Sequence, residues 1–290
     1  MVTVAYQGEQ GTFTEEALLA FFEGRGMRGT EPLPCASFDE AVHKVESGQA
    51  HYAVLPLENT MEGTVDEAAD VMLACDLFVV GEMRFKIDHC LIGHPGATVD
   101  SVKAAFSHAY ALRQSRDFLR AHGIEARPTT DTAAAVREVK ARGNIMEAAV
   151  ASARAAELHG MAILQRSIQS RENNSTRYVA LSRTEYKRNA ARKEQFLTSL
   201  SFGVRNVPGA LHDILGTFAK RDLNLTKVES RPKPERPWTY VFQVDVEGHR
   251  EDPALAEALA ELIPKVSSLK VLGSYPTWES VAAQGRRVAQ

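Results

Sequence analysis

Tyr52–Ala53–Val54–Leu55–Pro56 is a wholly apolar run, and the polar segment Leu57–Glu58–Asn59–Thr60–Met61–Glu62–Gly63–Thr64 follows it directly. A short strand without polar alternation is buried on both faces, as in parallel sheets covered by helices. The chain on either side keeps the matching rhythm. Upstream, Val2–Tyr6 reads as a first strand and Gln7–Gly11 as a glycine-bearing loop. Thr12 and Glu15 then have the spacing of a capping box, opening a helix with Ala17, Leu18, Phe21 and Phe22 on its apolar face. Ser37 and Glu40 repeat the box, and Gly48 supplies a stop. Downstream, a helix is expected near Val65–Cys75, with strands at Leu77–Val80, Cys90–Gly93, Ala104–Phe106, Ala148–Ala151 and Met161–Leu164. Asp131 and Ser152 are placed to cap further helices. Alternation of this kind predicts an α/β domain with mostly parallel strands.

Polar clusters fall where those strands meet loops. One is Glu58–Asn59–Thr60, a second is Ser107–His108 with Gln114, and a third lies in Arg171–Glu172–Asn173–Asn174–Ser175–Thr176–Arg177–Tyr178. Asn173–Asn174–Ser175 is turn chemistry, and Tyr178–Leu181 reads as a buried strand, so Thr176 and Arg177 stand where a loop enters a sheet. Ligand-facing groups of open α/β sheets gather at such junctions, which points to a shared cleft. The Gly8–Gly11 loop lacks the GxGxxG and Walker spacings. It reads equally as a carboxylate-binding corner and as a tight turn.

The bulk composition narrows the function classes. At 290 residues there is room for two domains, and a net charge of -3 gives no basic footprint for nucleic acid. Cys35, Cys75 and Cys90 are odd in number, widely spaced and in no CxxC arrangement. That argues against a disulfide framework and against a zinc site, and suits a reducing cytosol. The N-terminus lacks the pattern of a signal peptide, and no segment has the length of a bilayer span. A cytoplasmic protein with no membrane partner is expected.

Residues 183–195 carry many basic and few apolar side chains and read as an exposed linker. Beyond them come a strand from Phe196, a helix from Pro208–Gly209, strands at Asn224–Ser230 and Tyr240–Val246, a helix at Pro253–Leu262 and a strand at Leu269–Leu272. That order, βαββαβ, is ferredoxin-like. Residues 277–290 form a polar tail.

These residues together resemble the prephenate dehydratases that carry a C-terminal regulatory ACT domain. The matching elements are Gly8–Phe13, Pro56–Thr60 with Gly63, Ser107–His108 with Gln114, and Asn174–Tyr178. In the C-terminal part they are Pro208–Leu211, Glu229–Pro232 and Leu272–Tyr275. The resemblance implies a bilobed catalytic region similar to type II periplasmic binding proteins, here residues 1–182 with the second lobe at about 80–168, and an ACT domain over 196–276. It implies decarboxylative dehydration of prephenate to phenylpyruvate, without metal or organic cofactor. Thr176, matching the family's TRF threonine, is expected to assist departure of the hydroxyl. Asn59, Thr60, Ser107 and Gln114 match substrate-holding positions. Arg177 is the expected carboxylate clamp, and Glu58 its structural partner or a polariser of the site. His108 reads as a helix cap rather than a general acid. L-phenylalanine is the implied effector, bound by Asn206, Pro208, Gly209, Ala210, Leu211, Glu229, Ser230 and Arg231 at an interface between ACT domains of a homodimer or homotetramer. No chorismate-mutase helix precedes Val2, so the expected enzyme is monofunctional. Tyr178 replaces the family's usual phenylalanine, and His212 stands where an apolar residue is common. An arogenate dehydratase and a non-catalytic amino-acid or keto-acid sensor are the alternative readings.

Overall fold

The computed structural model describes residues 1–189, 194–232 and 240–280. In chain order the first elements are β1 (Val2–Gln7), α1 (Phe13–Gly24), β2 (Thr30–Cys35), α2 (Phe38–Glu46), β3 (Tyr52–Asn59), β4 (Gly63–Thr64), α3 (Asp66–Ala74) and β5 (Phe78–Lys86). Next come β6 (Cys90–Gly93), β7 (Ala104–His108), α4 (Ala109–Gln114), α5 (Arg116–Ala121), β8 (Glu125–Thr129), α6 (Thr132–Arg142), β9 (Glu147–Ala151), α7 (Ala153–His159), β10 (Ala162–Gln165) and β11 (Ser175–Ser182). The C-terminal region holds β12 (Phe196–Val204), α8 (Ala210–Ala219), β13 (Leu225–Pro232), β14 (Tyr240–Glu247), α9 (Pro253–Leu262) and β15 (Val266–Pro276).

The first sheet runs β2-β1-β3-β11-β5, with β4 hairpinned onto β3; the second runs β10-β6-β9-β7-β8. β2 and β8 had no counterpart in the sequence reading. Both are edge strands, and both carry proline (Pro32 and Pro34; Pro128). An edge strand tolerates the missing N–H that argues against a central one. The expectation of mostly parallel pairing holds for β1 with β2 and β3, and for β7 with β8 and β9. It fails at β6, which is antiparallel to both β9 and β10. One reversed strand accounts for both of those pairings, and in the first sheet β4 runs antiparallel to β3.

Strand parity divides the second sheet's side chains between two cores. Cys90, Ile92, Ala104, Phe106, Ala149 and Ala151 pack with Ala133, Val136 and Val139 of α6. Leu91, Ala105, Ala148 and Val150 pack on the other face with Leu112 and Leu119. Caps fix where the helices begin. The Thr12, Ser37 and Ser152 hydroxyls accept from the backbone N–H of Glu15, Glu40 and Ala155. The Asp131 carboxylate accepts from Ala133 and Ala134 (2.6 and 3.0 Å). Gly143 and Gly160 close α6 and α7 in the left-handed region, with φ of 66° and 62°.

The chain divides into two compact units, Met1–Val71 with Met83–Tyr178, and Met72–Glu82 with Val179 onward. In the second unit the four strands run β13-β14-β12-β15 with every pairing antiparallel. One face packs Leu200, Phe202, Val244 and Val246 against Ile214 and Phe218 of α8 and Leu255, Ala258 and Leu262 of α9. The described part of the basic 183–195 segment is held by ion pairs: Arg188 with Asp252 (2.6 Å) and Glu185 with Arg250 (2.7 Å). The rest of that segment, with Arg192 and Lys193, and residues 281–290 of the polar tail lie outside the described residues.

Gly273 sits where β15 passes close to the backbone of Val79; a Cβ there would overlap the Val79 carbonyl. Backbone yields less readily than a side chain, so Gly273→Ala should destabilise the fold by about 1–3 kcal/mol in urea denaturation. An unchanged midpoint would show that β15 moves away from Val79 at no cost.

Candidate active site

A cleft of about 740 Å³ opens within the first unit, lined by residues of both sheets' loops. Its wall includes the first residues of several helices: Thr12–Thr14 at α1, Ser37 and Phe38 at α2, Val65–Glu67 at α3, Tyr110 and Ala111 at α4, and Asp131 and Thr132 at α6. Helix N-termini present unpaired N–H groups and the positive end of the peptide dipoles, so the cleft favours an anionic occupant. The glycine loop before α1 is pinned at both ends. Gly8 N–H donates to the Cys35 carbonyl, and Gly11 N–H donates to the buried Glu15 carboxylate.

The polar centre is built on Asn59 at the end of β3. The β3–β4 turn brings the N–H groups of Met61 and Glu62 onto Asn59 Oδ1 (2.9 and 3.2 Å), an Asx-type turn. This fixes the amide's orientation. Asn59 Nδ2 then donates to Asn174 Oδ1 (2.9 Å) and to Thr176 Oγ1 (3.0 Å). Gln114 Nε2 donates to Asn59 Oδ1 (3.1 Å), which leaves Gln114 Oε1 to accept from Asn174 Nδ2 (2.8 Å). His89 Nε2 lies 2.7 Å from the same Gln114 oxygen. All five residues are buried, His89 to 2% exposure. Burial pushes the His89 imidazole below its ordinary value, against the opposing pull of Gln114 and Asp88.

Three predicted site residues therefore meet at one point of the cleft wall: Asn59, Gln114 and Thr176. The other four do not line it. Ser107 is fully buried, and its hydroxyl donates to the Val150 carbonyl. Thr60 donates to the Asn173 carbonyl (2.6 Å) and accepts from Ser175 N–H (3.0 Å), tying the entry of β11 to the β3–β4 turn. Along β11, buried Thr176 and Tyr178 alternate with half-buried Ser175 and Arg177, so Arg177 projects from the opposite face. A clamp formed by Arg177 would have to reach round from that face, since Arg177 is not among the residues that line the cleft. Glu58 is likewise the exposed neighbour of cleft-lining Asn59 on β3.

The cation on the cleft wall is Arg113, bound to Glu62 Oε2 (2.6 Å) and stacked on Tyr110 (4.5 Å to the ring centroid). Sequence reading passed over both Arg113 and His89, since neither belongs to a motif that names it. His108 caps α4 through Nδ1, which accepts from Tyr110 N–H (3.3 Å), and burial lowers its pKa. Asp131, the α6 cap, has its carboxyl raised by burial. The Tyr178 hydroxyl bonds to the side chains of Thr14 and Thr176, and burial holds it protonated well above its ordinary range. Those are the partners that the added hydroxyl requires. Among the described residues, no three His, Cys, Asp or Glu side chains gather as a metal site, and no helix is long and apolar enough to cross a membrane.

The effector residues expected from sequence lie in the second unit. Gly209 takes φ 82° as the N-cap of α8, a left-handed conformation that suits glycine. Asn206 and Pro208 are exposed beside it. On β13, Arg231 pairs with Glu229 (3.3 Å) on one face, and Ser230 between them turns to the other.

Comparison with known proteins places these features. The family model described as prephenate dehydratase matches residues 4–186, and that of the ACT domain matches residues 198–264. A relative from Pseudomonas aeruginosa, described as a bifunctional chorismate mutase/prephenate dehydratase, is 36% identical over 275 residues, covering 94% of this chain and 73% of its own length. Relatives from Arabidopsis thaliana are described as arogenate dehydratases or arogenate dehydratase/prephenate dehydratases. A solved prephenate dehydratase in complex with L-Phe, from Arthrobacter aurescens, matches with a TM-score of 0.86 at 29% identity over 99% of this chain and 97% of that one. A solved chain described as GqqA, a novel type of quorum quenching acylase, matches with a TM-score of 0.84 at 35% identity over 95% and 98% of the two chains. By motif, fold and sequence alike, this chain belongs to the prephenate dehydratase family of hydro-lyases and carries an ACT domain behind its catalytic region.

Proposed function

We propose that this protein converts prephenate to phenylpyruvate and is feedback-regulated by L-phenylalanine through its ACT domain. In this reaction the ring carboxylate leaves as CO2, and the electron pair of the broken C–C bond enters the ring. The C4–O bond breaks, the ring becomes aromatic, and the departing hydroxide takes up a proton as water. Aromatisation supplies the driving force; help is needed at the departing oxygen.

The observation that carries this reading is the polarity of Thr176. Its Oγ accepts from Asn59 Nδ2, whose direction is set by two backbone N–H groups, and it also shares a hydrogen bond with the Tyr178 hydroxyl; with Tyr178 as the donor of that bond, the Thr176 hydrogen remains for an oxygen in the cleft. A neutral hydroxyl held in this way acts as an oriented donor to charge that develops in the transition state. The helix N-termini and Arg113 suit the two carboxylates of the substrate. Asn59 and Gln114 are assigned chiefly to orienting the donor, and Ser107, Thr60, Glu58 and Arg177 to supporting the wall from behind it. The same donor would serve arogenate, which differs only in its side-chain amino group. Hydrolysis of an acyl substrate, the reading suggested by the acylase, calls for a base beside the nucleophile. The side-chain partners given for Thr176 are Asn59 Nδ2, a donor, and the Tyr178 hydroxyl, which burial holds protonated, and neither is such a base.

Thr176→Ala should lower kcat for phenylpyruvate formation by about 10²–10³-fold with only a small fall in the thermal midpoint. Near-normal turnover would remove Thr176 from the mechanism. Prephenate and arogenate are to be assayed side by side, and turnover of arogenate alone would change the substrate while keeping the chemistry. L-phenylalanine should suppress the rate at subsaturating prephenate. Asn206→Ala should raise the half-inhibiting concentration by about tenfold, the value of one hydrogen bond. Rates unaffected by saturating L-phenylalanine would sink the regulatory half of the proposal.

A further inference from the structure

His89 belongs to none of the motifs that mark the site, yet it lies on the cleft wall almost wholly buried, with the Phe13 ring edge-on at 5.2 Å. Its hydrogen bonding is lopsided. Nε2 is 2.7 Å from Gln114 Oε1, and Nδ1 is buried with no hydrogen-bond partner among the described residues. A ring retained only to fill space would be better replaced by an apolar one, because an unpaired buried acceptor is a cost. The Nε2 contact is therefore the feature that justifies an imidazole at this position.

The direction of that contact follows from groups outside the ring. Met61 and Glu62 N–H fix Asn59 Oδ1 as an acceptor. Gln114 Nε2 must then donate to it, and Gln114 Oε1 must accept. His89 Nε2 can only be the donor, and burial, which disfavours the imidazolium, keeps the ring neutral. The ring is the Nε2–H tautomer. Its proton in turn blocks the reversed arrangement. A flipped Gln114 would put its NH2 group against the His89 N–H and its oxygen against Asn59 Oδ1. An Asn59 that followed the flip would turn its oxygen towards Thr176 and draw away the hydroxyl hydrogen.

We infer that His89 is a positioning residue: as the neutral Nε2–H tautomer it locks the Gln114–Asn59–Asn174 amides so that the Thr176 hydroxyl keeps its hydrogen for the departing oxygen. This rests on the proposed role of Thr176 and adds the residue that secures it. Because donation to the leaving oxygen matters in the transition state, disorder in the amides falls on kcat more than on KM.

Two measurements on the full-length protein test it. In 15N spectra of histidine-labelled enzyme, the His89 signals, identified by their loss in His89→Gln, should show a protonated Nε2 and a bare Nδ1 at neutral pH. In kinetics, His89→Leu should lower kcat by about ten- to hundredfold, less than direct loss of a donor, with KM changed by less than about threefold. His89→Gln, whose amide can donate to Gln114, should recover most of that loss. A protonated Nδ1 with a bare Nε2 would overturn the inference, and so would wild-type kcat in His89→Leu. If the leucine variant does not fold, the wild-type spectrum and the glutamine variant still decide. Thr176→Ala, assayed in parallel, separates the two levels. Normal turnover there overturns the role of Thr176, whereas its inactivity beside a fully active His89→Leu overturns only the role given to His89.

Discussion

Two backbone N–H groups, those of Met61 and Glu62, hold Asn59 Oδ1, and the polarity of the catalytic wall depends on that contact. Side-chain amides are nearly symmetric in shape, so a buried network of them has two self-consistent directions unless something outside it chooses. Here a tight turn chooses. Its direction passes through Asn59 to Thr176 on one side and through Gln114 to Asn174 and His89 on the other. Burial raises the stakes, since each member left unpaired would carry a desolvation cost of about 1–3 kcal/mol.

Around that centre the anionic substrate proposed for the cleft would meet few cations. Arg113 is already engaged by Glu62, and the N-termini of α1, α2, α3, α4 and α6 border the cleft beside it. Fixed backbone dipoles need no reorganisation when charge moves during reaction, which would suit the proposed step, with its departing oxygen and carboxylate.

Much of the frame was legible because its signals are local. Thr12, Ser37, Asp131 and Ser152 are caps that act on residues two or three positions away, and each caps the helix expected of it. The helix Pro253–Leu262 begins and ends where the sequence placed it. The failures have equally physical causes. β2 and β8 carry prolines that only an edge position permits, and whether a strand is at an edge is settled by the whole sheet. β6 runs backwards because strand direction follows from how the chain enters the sheet, which periodicity does not encode.

The sequence by itself determined which residue types were available: a hydroxyl at 176, amides at 59, 114 and 174, and a guanidinium at 177, on loops of an α/β framework followed by a ferredoxin-like domain. Tertiary structure alone decided which of them face the cleft. Strand parity turned Thr176 and Tyr178 inward and Arg177 outward. Chain crossings brought Asn59 to Asn174 across 115 positions and drew in His89, which no motif had singled out. Hydrogen-bond direction is a property of the closed network, so it exists only once every partner is in place.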